Sequence, residues 1–251
     1  MRGRRDRSHV RRIRLPMIDL VALDADDTLW HNEPLYTDRR ERFRALLARY
    51  EPQGVLDDRL YATELRNLNH FGYGVKGFVL SMIETAIELT GGRIEAEDIG
   101  TIIGWGREML AHPTELLEGV REAVEGLAEA FRLILLTKGD LLDQQSKLAR
   151  SGLGGLFKGI EIVSEKNAAV YRDVIARYGV DPASFVMVGN SLRSDILPAI
   201  EVGAHAVYVP YALSWVHERV SPEALASIHY HQLAHIRELP ALLSRLDAGA
   251  N

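Results

Sequence analysis

Leu20-Val21-Ala22-Leu23-Asp24-Ala25-Asp26-Asp27-Thr28-Leu29-Trp30 is the stretch on which the fold of this chain turns. An aliphatic run over residues 17–23 stops abruptly at three carboxylates within four residues. A short, almost purely aliphatic run reads as a strand buried on both faces, as in a parallel sheet. In open α/β sheets, binding groups gather where strands end at their carboxyl edge. Crowding Asp24, Asp26 and Asp27 at such an edge costs like-charge repulsion, which a bound divalent cation relieves. An Asp-rich turn capping a helix is the plainer reading of the same residues.

Downstream of this stretch the pattern becomes helical. Apolar residues at helical spacing predict helices over 39–50, 57–70, 78–89 and 96–111, the last interrupted by Gly104 and Gly106. No strand-like run occurs between 33 and 112. From His112-Pro113 onward strands and helices alternate. Strands are predicted over 131–137, 159–163, 185–188 and 204–209, with helices over 119–130, 141–150, 167–178 and 192–202. Repeated strand-then-helix units specify right-handed crossovers and a doubly wound parallel sheet. The fold class is therefore α/β, with some eighty residues of helix inserted after the first strand.

Composition narrows the classes of function. The chain has 251 residues, 47% hydrophobic and 26% charged, as in ordinary globular proteins. With no cysteine there is neither disulfide nor thiolate chemistry. No apolar run reaches the roughly 18 residues of a membrane span, and a soluble, cytoplasmic protein with no membrane partner is expected. Residues 1–16 hold seven arginines and one acid, and the formal total is −5, so residues 17–251 carry −11. An acidic body argues against nucleic acid as a partner. The basic arm at 1–16 reads as disordered.

Each predicted strand ends in residues with a chemical use. The first gives Asp24 and Asp26, the second Thr137-Lys138-Gly139-Asp140, the third Ser164-Glu165-Lys166-Asn167, and the fourth Gly189-Asn190-Ser191-Leu192-Arg193-Ser194-Asp195. A hydroxyl beside backbone N–H groups at a helix start suits a phosphate oxygen. Lysines neutralise phosphate charge. Carboxylates and an Asn carbonyl suit Mg²⁺, a hard ion that takes few protein ligands and keeps waters.

Taken together and in order, Asp24-Ala25-Asp26-Asp27-Thr28-Leu29, Thr137, Lys166 and Gly189-Asn190-Ser191…Asp195 resemble the four motifs of the haloacid dehalogenase-like hydrolases. The resemblance runs from residue 17 to about 210. It implies a Rossmann-like core over 17–32 and 113–251, and a helical cap over 33–112. It implies further a Mg²⁺-dependent hydrolysis of a small phosphomonoester. In that scheme Asp24 is the nucleophile that becomes an aspartyl-phosphate. Asp26 is the acid and base at the leaving oxygen, and its backbone carbonyl is a metal ligand. Thr137, Lys138 and Lys166 bind the phosphate, Lys166 also offsetting the charge of the nucleophile. Asp24, Asp26, Asn190 and Asp195 form the metal set.

Two positions depart from the family pattern. Asp27 stands where many members have glycine, and reads as a local hydrogen-bonding group. Asn190 stands where many have the metal-binding Asp, leaving Asp195 as the acid of that segment. The presence of Asp26, which dehalogenating members typically lack, favours phosphoryl transfer. A phosphomutase, or a non-catalytic phosphoacceptor or binding module on the same core, are the alternatives. Phe71-Gly72-Tyr73-Gly74-Val75-Lys76-Gly77 reads as an inter-helix turn, or as a cap loop with Lys76 on the distal part of the substrate. His229-Tyr230-His231 and His235 read as surface strand, and Trp105 and Trp215 as packing residues.

Overall fold

The computed structural model describes residues 18–50, 55–213, 215–218, 220–226 and 228–249; the basic arm lies outside them. Six parallel strands form one sheet in the order β3-β2-β1-β4-β5-β6. They are β1 (Leu20–Leu23), β2 (Arg132–Lys138), β3 (Gly159–Val163), β4 (Phe185–Gly189), β5 (His205–Tyr208) and β6 (His231–Gln232). All four residues of β1 are buried. Val21 and Leu23 belong to one apolar layer with Leu133, Leu135 and Val186, and Leu20 and Ala22 to the opposite layer with Ile134 and Met187. That two-sided burial is why β1 is aliphatic throughout rather than alternating.

The inserted helices are α1 (Glu33–Leu47), α2 (Leu56–Phe71), α3 (Val75–Leu89) and α4 (Ala96–Ala111), packed on their own apolar cluster of Phe43, Leu60, Met82, Ile102 and Trp105. Gly106 does not interrupt α4. A Cβ there would come within 2.6 Å of Val79, so the glycine lets α3 lie close. The two crossings between helices and sheet run side by side, with the His31 N–H donating to the Glu115 carbonyl and the Leu117 N–H to that of Leu29, each at 3.0 Å.

The sheet helices are α5 (Val120–Ala130), α6 (Leu141–Ser151), α7 (Ala168–Tyr178), α8 (Leu197–Glu201), α9 (Pro222–Leu225) and α10 (Leu239–Asp247). The helix expected over 192–202 is not continuous. Leu192–Ile196 forms a wide π-type turn, and α8 follows it. Pro198 has no N–H to give the Ser194 carbonyl, and the buried Tyr171 hydroxyl donates to that carbonyl at 3.0 Å instead. The histidines at 229–231 lead into the two-residue edge strand β6.

Candidate active site

Register brings the chemistry to one edge. Leu23 of β1 lies level with Leu135 of β2 and Val188 of β4. Asp24, Thr137 and Asn190 therefore stand one or two residues beyond a common line, and the Asp24 N–H closes the row by donating to the Val188 carbonyl at 2.9 Å. These residues open into a cavity of about 180 Å³ between the sheet edge and the inserted helices.

At the cavity floor one cation holds two acids. Lys166 Nζ donates to Asp24 Oδ1 at 2.5 Å and to Asp195 Oδ1 at 2.7 Å. Asp24 is 7% exposed and Asp195 1%. Burial alone would push the lysine's pKa down, but the two carboxylates outweigh it and raise it. Burial pushes the Asp195 carboxyl up against the pull of Lys166. The second Asp195 oxygen accepts the Ser191 N–H at 2.9 Å. Within the wide turn at 192–196, Asp195 lies against Gly189, where it makes these contacts.

The Thr28 hydroxyl links the first and fourth strand ends. Its oxygen lies 2.9 Å from Asp24 Oδ2 and 3.1 Å from Asn190 Oδ1, and it accepts the Asn190 N–H at 3.1 Å. Asp26 is fixed by three donors: the Trp30 indole at 2.7 Å, the Gln144 amide at 2.7 Å and Lys147 Nζ at 3.1 Å. Asp27 has a positive φ of 60°, the one non-glycine among the described residues to do so. Its carboxyl accepts the N–H groups of Asn32 and Glu33 at 2.9 and 3.1 Å, so it serves the start of α1. Burial, then the neighbouring Asp26, raise it to about 8.

Thr137, on the end of β2, is 1% exposed and lines the cavity. Lys138 also lines it, but its Nζ is engaged by Glu218 at 2.7 Å and Ser194 at 2.8 Å, and lies 4.2 Å from the Tyr73 ring centroid. Lys76 is not on the cavity wall. It pairs with Asp140, which caps α6, at 2.9 Å. The neighbouring Tyr73 does line the cavity and donates to Glu165 at 2.7 Å, so the 72–74 turn bridges the inserted helices and the sheet. Trp215, expected to be a packing residue, lines the cavity edge-on to Tyr73.

Several lining residues were not legible as site residues. Glu218 accepts from Lys138, Ser194 and Ser191. Burial opposes its ionisation, yet Lys138 and the two serines hold it down at about 2. It stands in a stretch without periodicity, and nothing local marks it. Gln144 lines the cavity, and Lys147, off its wall, reaches Asp26 at 3.1 Å. With Asp143, Leu148 and Ser151 they are the buried stripe of α6, and polar residues on a buried stripe need buried partners.

The haloacid dehalogenase-like hydrolase family model matches residues 18–203. A haloacid dehalogenase-like hydrolase from Xanthomonas campestris is 43% identical, with a TM-score of 0.83 over 93% of this chain and 94% of that one. A HAD-hydrolase from Bacillus subtilis, 16% identical over 90% of this chain and 98% of its own, shares the fold with a TM-score of 0.64. The human N-acylneuraminate-9-phosphatase is 28% identical over 149 residues, 57% of each chain, so this chain spans little more than half the length of that curated relative. The human glycerol-3-phosphate phosphatase is 25% identical over 76% of this chain and 78% of its own. With three-quarters of its length under the family model, and the four strand ends converging on Asp24 and Lys166, the chain belongs to the haloacid dehalogenase-like hydrolase family.

Proposed function

We propose that this protein hydrolyses a small phosphomonoester, with Asp24 as nucleophile. The observation that carries the reading is Lys166 held between Asp24 and Asp195 at the cavity floor. A buried cation there offsets the charge of Asp24 and lets a further anionic group approach it. In the first step an Asp24 oxygen bonds to phosphorus as the P–O bond to the alcohol breaks, and Asp26 gives its proton to the leaving oxygen. In the second, Asp26 takes a proton from the water that attacks phosphorus, freeing Asp24 and inorganic phosphate. Trp30 and Gln144 fix the direction of the Asp26 carboxyl. Thr137 and Lys166 hold the phosphoryl oxygens, and Lys138 completes the set when it leaves Glu218. The phosphatase names of the curated relatives support the class of reaction.

The donor set fits Mg²⁺. Asp24, the backbone carbonyl of Asp26 and Asn190 are all hard oxygen ligands, and Thr28 keeps Asp24 and Asn190 within reach of one side chain. Mg²⁺ takes one or two carboxylates and keeps its waters, which this small oxygen set allows. Asp195, spent on Lys166 and the Ser191 N–H, orders the site from behind. When bound, the ion would stabilise charge on the phosphoryl group. The inserted helices serve as the cap, which excludes water during the first step.

The test is phosphate release from a panel of small phosphate esters with Mg²⁺, with EDTA, and with Asp24→Asn. Multiple turnovers lost in both controls are expected. Intact turnover by Asp24→Asn removes Asp24 as nucleophile, and transfer of phosphate to a second position of the ester instead of release makes the protein a mutase.

A further inference from the structure

The far end of the cavity, away from Asp24, is built from the inserted helices and carries charge that phosphoryl chemistry does not use. Glu64 on α2 lines it and is 8% exposed. One of its oxygens pairs with Arg40 at 3.5 Å, and Arg40 also donates to Glu33 at 2.8 Å. The other oxygen, Oε1, is buried and has no hydrogen-bond partner among the described residues. Burial raises the Glu64 carboxyl to about 7, against Arg40 and a weaker pull from the Trp215 indole. A buried carboxylate oxygen without a donor is costly, and such orphans in folded proteins point to a missing ligand or water.

Asn67, one turn further along α2, lines the same wall. Its amide nitrogen donates to Ser81 at 3.1 Å and to Glu84 at 2.7 Å. Glu84 as a carboxylate accepts, which fixes the amide's orientation and leaves the carbonyl oxygen as the group Asn67 offers a ligand. Both residues therefore present acceptors, and a ligand here must bring donors. Two acids against one arginine disfavour a second anionic group, and Arg40 already supplies a charged donor to the other Glu64 oxygen. Neutral hydroxyls satisfy both conditions.

We propose that this wall is a recognition subsite for the alcohol part of a polyhydroxylated phosphate ester, a sugar or polyol phosphate, with Glu64 accepting from a substrate hydroxyl. The proposal rests on the phosphatase reading above. An alkyl ester of the same length would fill the space but leave Oε1 unsatisfied, and sites built to hydrogen-bond a hydroxyl reject analogues that lack it.

The experiment is calorimetric titration of Asp24→Asn protein with polyol phosphates of three to six carbons and with alkyl phosphates of matching length, alongside turnover of both sets by the unmodified enzyme. Polyol esters are expected to bind at least about tenfold more tightly. Adding Glu64→Leu should bring the ratio below about threefold, with Glu64→Gln between the two. Thermal melts establish that each variant is folded, and the glutamine variant, of the same shape, carries the test if the leucine variant is not. No preference in the parent, or an undiminished preference in a folded Glu64 variant, overturns the subsite. Preferential polyol binding without phosphate release by the unmodified enzyme overturns the phosphatase reading and leaves the subsite standing. Phosphate release without preference does the reverse.

Discussion

At the scale of single residues, the site is held by buried charges that each depend on a partner distant in sequence. Lys166 pairs with Asp24 and Asp195 at once. Lys166→Met leaves both carboxylates buried without a cation, and removing one partner of a buried pair costs about 3–5 kcal/mol. Urea denaturation should register that loss, and an unchanged midpoint would show that the pair contributes little to folding. Glu218 makes a pH prediction. Its folded pKa of about 2 lies below the ordinary 4.5, so the stability it contributes is complete above about 4.5 and is lost as pH falls toward 2. Glu218→Gln should flatten that part of the stability profile and lower stability at neutral pH, by about 2–4 kcal/mol, because Lys138 loses its counter-charge. An unaltered acid limb would refute the assignment. The composition of the strand ends announced Lys166 in the sequence. Glu218 was silent, because its partners lie 80, 27 and 24 residues away.

At the scale of elements, the wide turn after β4 places Asp195 against Lys166. Gly189 leaves room for Asp195. A Cβ at 189 would sit 2.1 Å from the Asp195 carboxylate, which Lys166 and the Ser191 N–H hold in place. Gly189→Ala should therefore cost at least about 2 kcal/mol and lower turnover, read by thermal unfolding and phosphate release. A stable, active alanine variant would mean that the turn is more pliable than drawn. Helix boundaries show how local signals compete with tertiary ones. Apolar spacing alone starts the first inserted helix at Arg39, whereas α1 begins at Glu33. Asp27 supplies the acceptor for its first N–H groups, and Pro34 in the first turn has no N–H to leave unpaired.

At the scale of the whole molecule, the inserted helices are joined to the sheet by two adjacent crossings and clasped to it by Lys76–Asp140 and Tyr73–Glu165. Both contacts are partly exposed, so the double variant Lys76→Ala, Tyr73→Phe should lose no more than about 2 kcal/mol of stability. If the clasp holds the inserted helices over the proposed ester, KM should rise. An unchanged KM would show that closure is set elsewhere. Lys76→Ala alone discriminates further, since Lys76 lies off the cavity wall and its removal should not alter the ranking of esters.

The sequence by itself determined the parallel α/β architecture, the position of the helical insertion and the four strand ends that meet at Asp24. Aliphatic runs and strand–helix alternation are local properties, and sheet register then brings strand ends together. Only the tertiary structure decided that Lys138 is held by Glu218, that Lys76 clasps Asp140 instead of facing the cavity, that Trp215 lines it, and that Glu64 carries an oxygen unpartnered among the described residues. Each of these depends on which side chains meet across long separations. That is set by packing geometry, and no spacing along the chain encodes it.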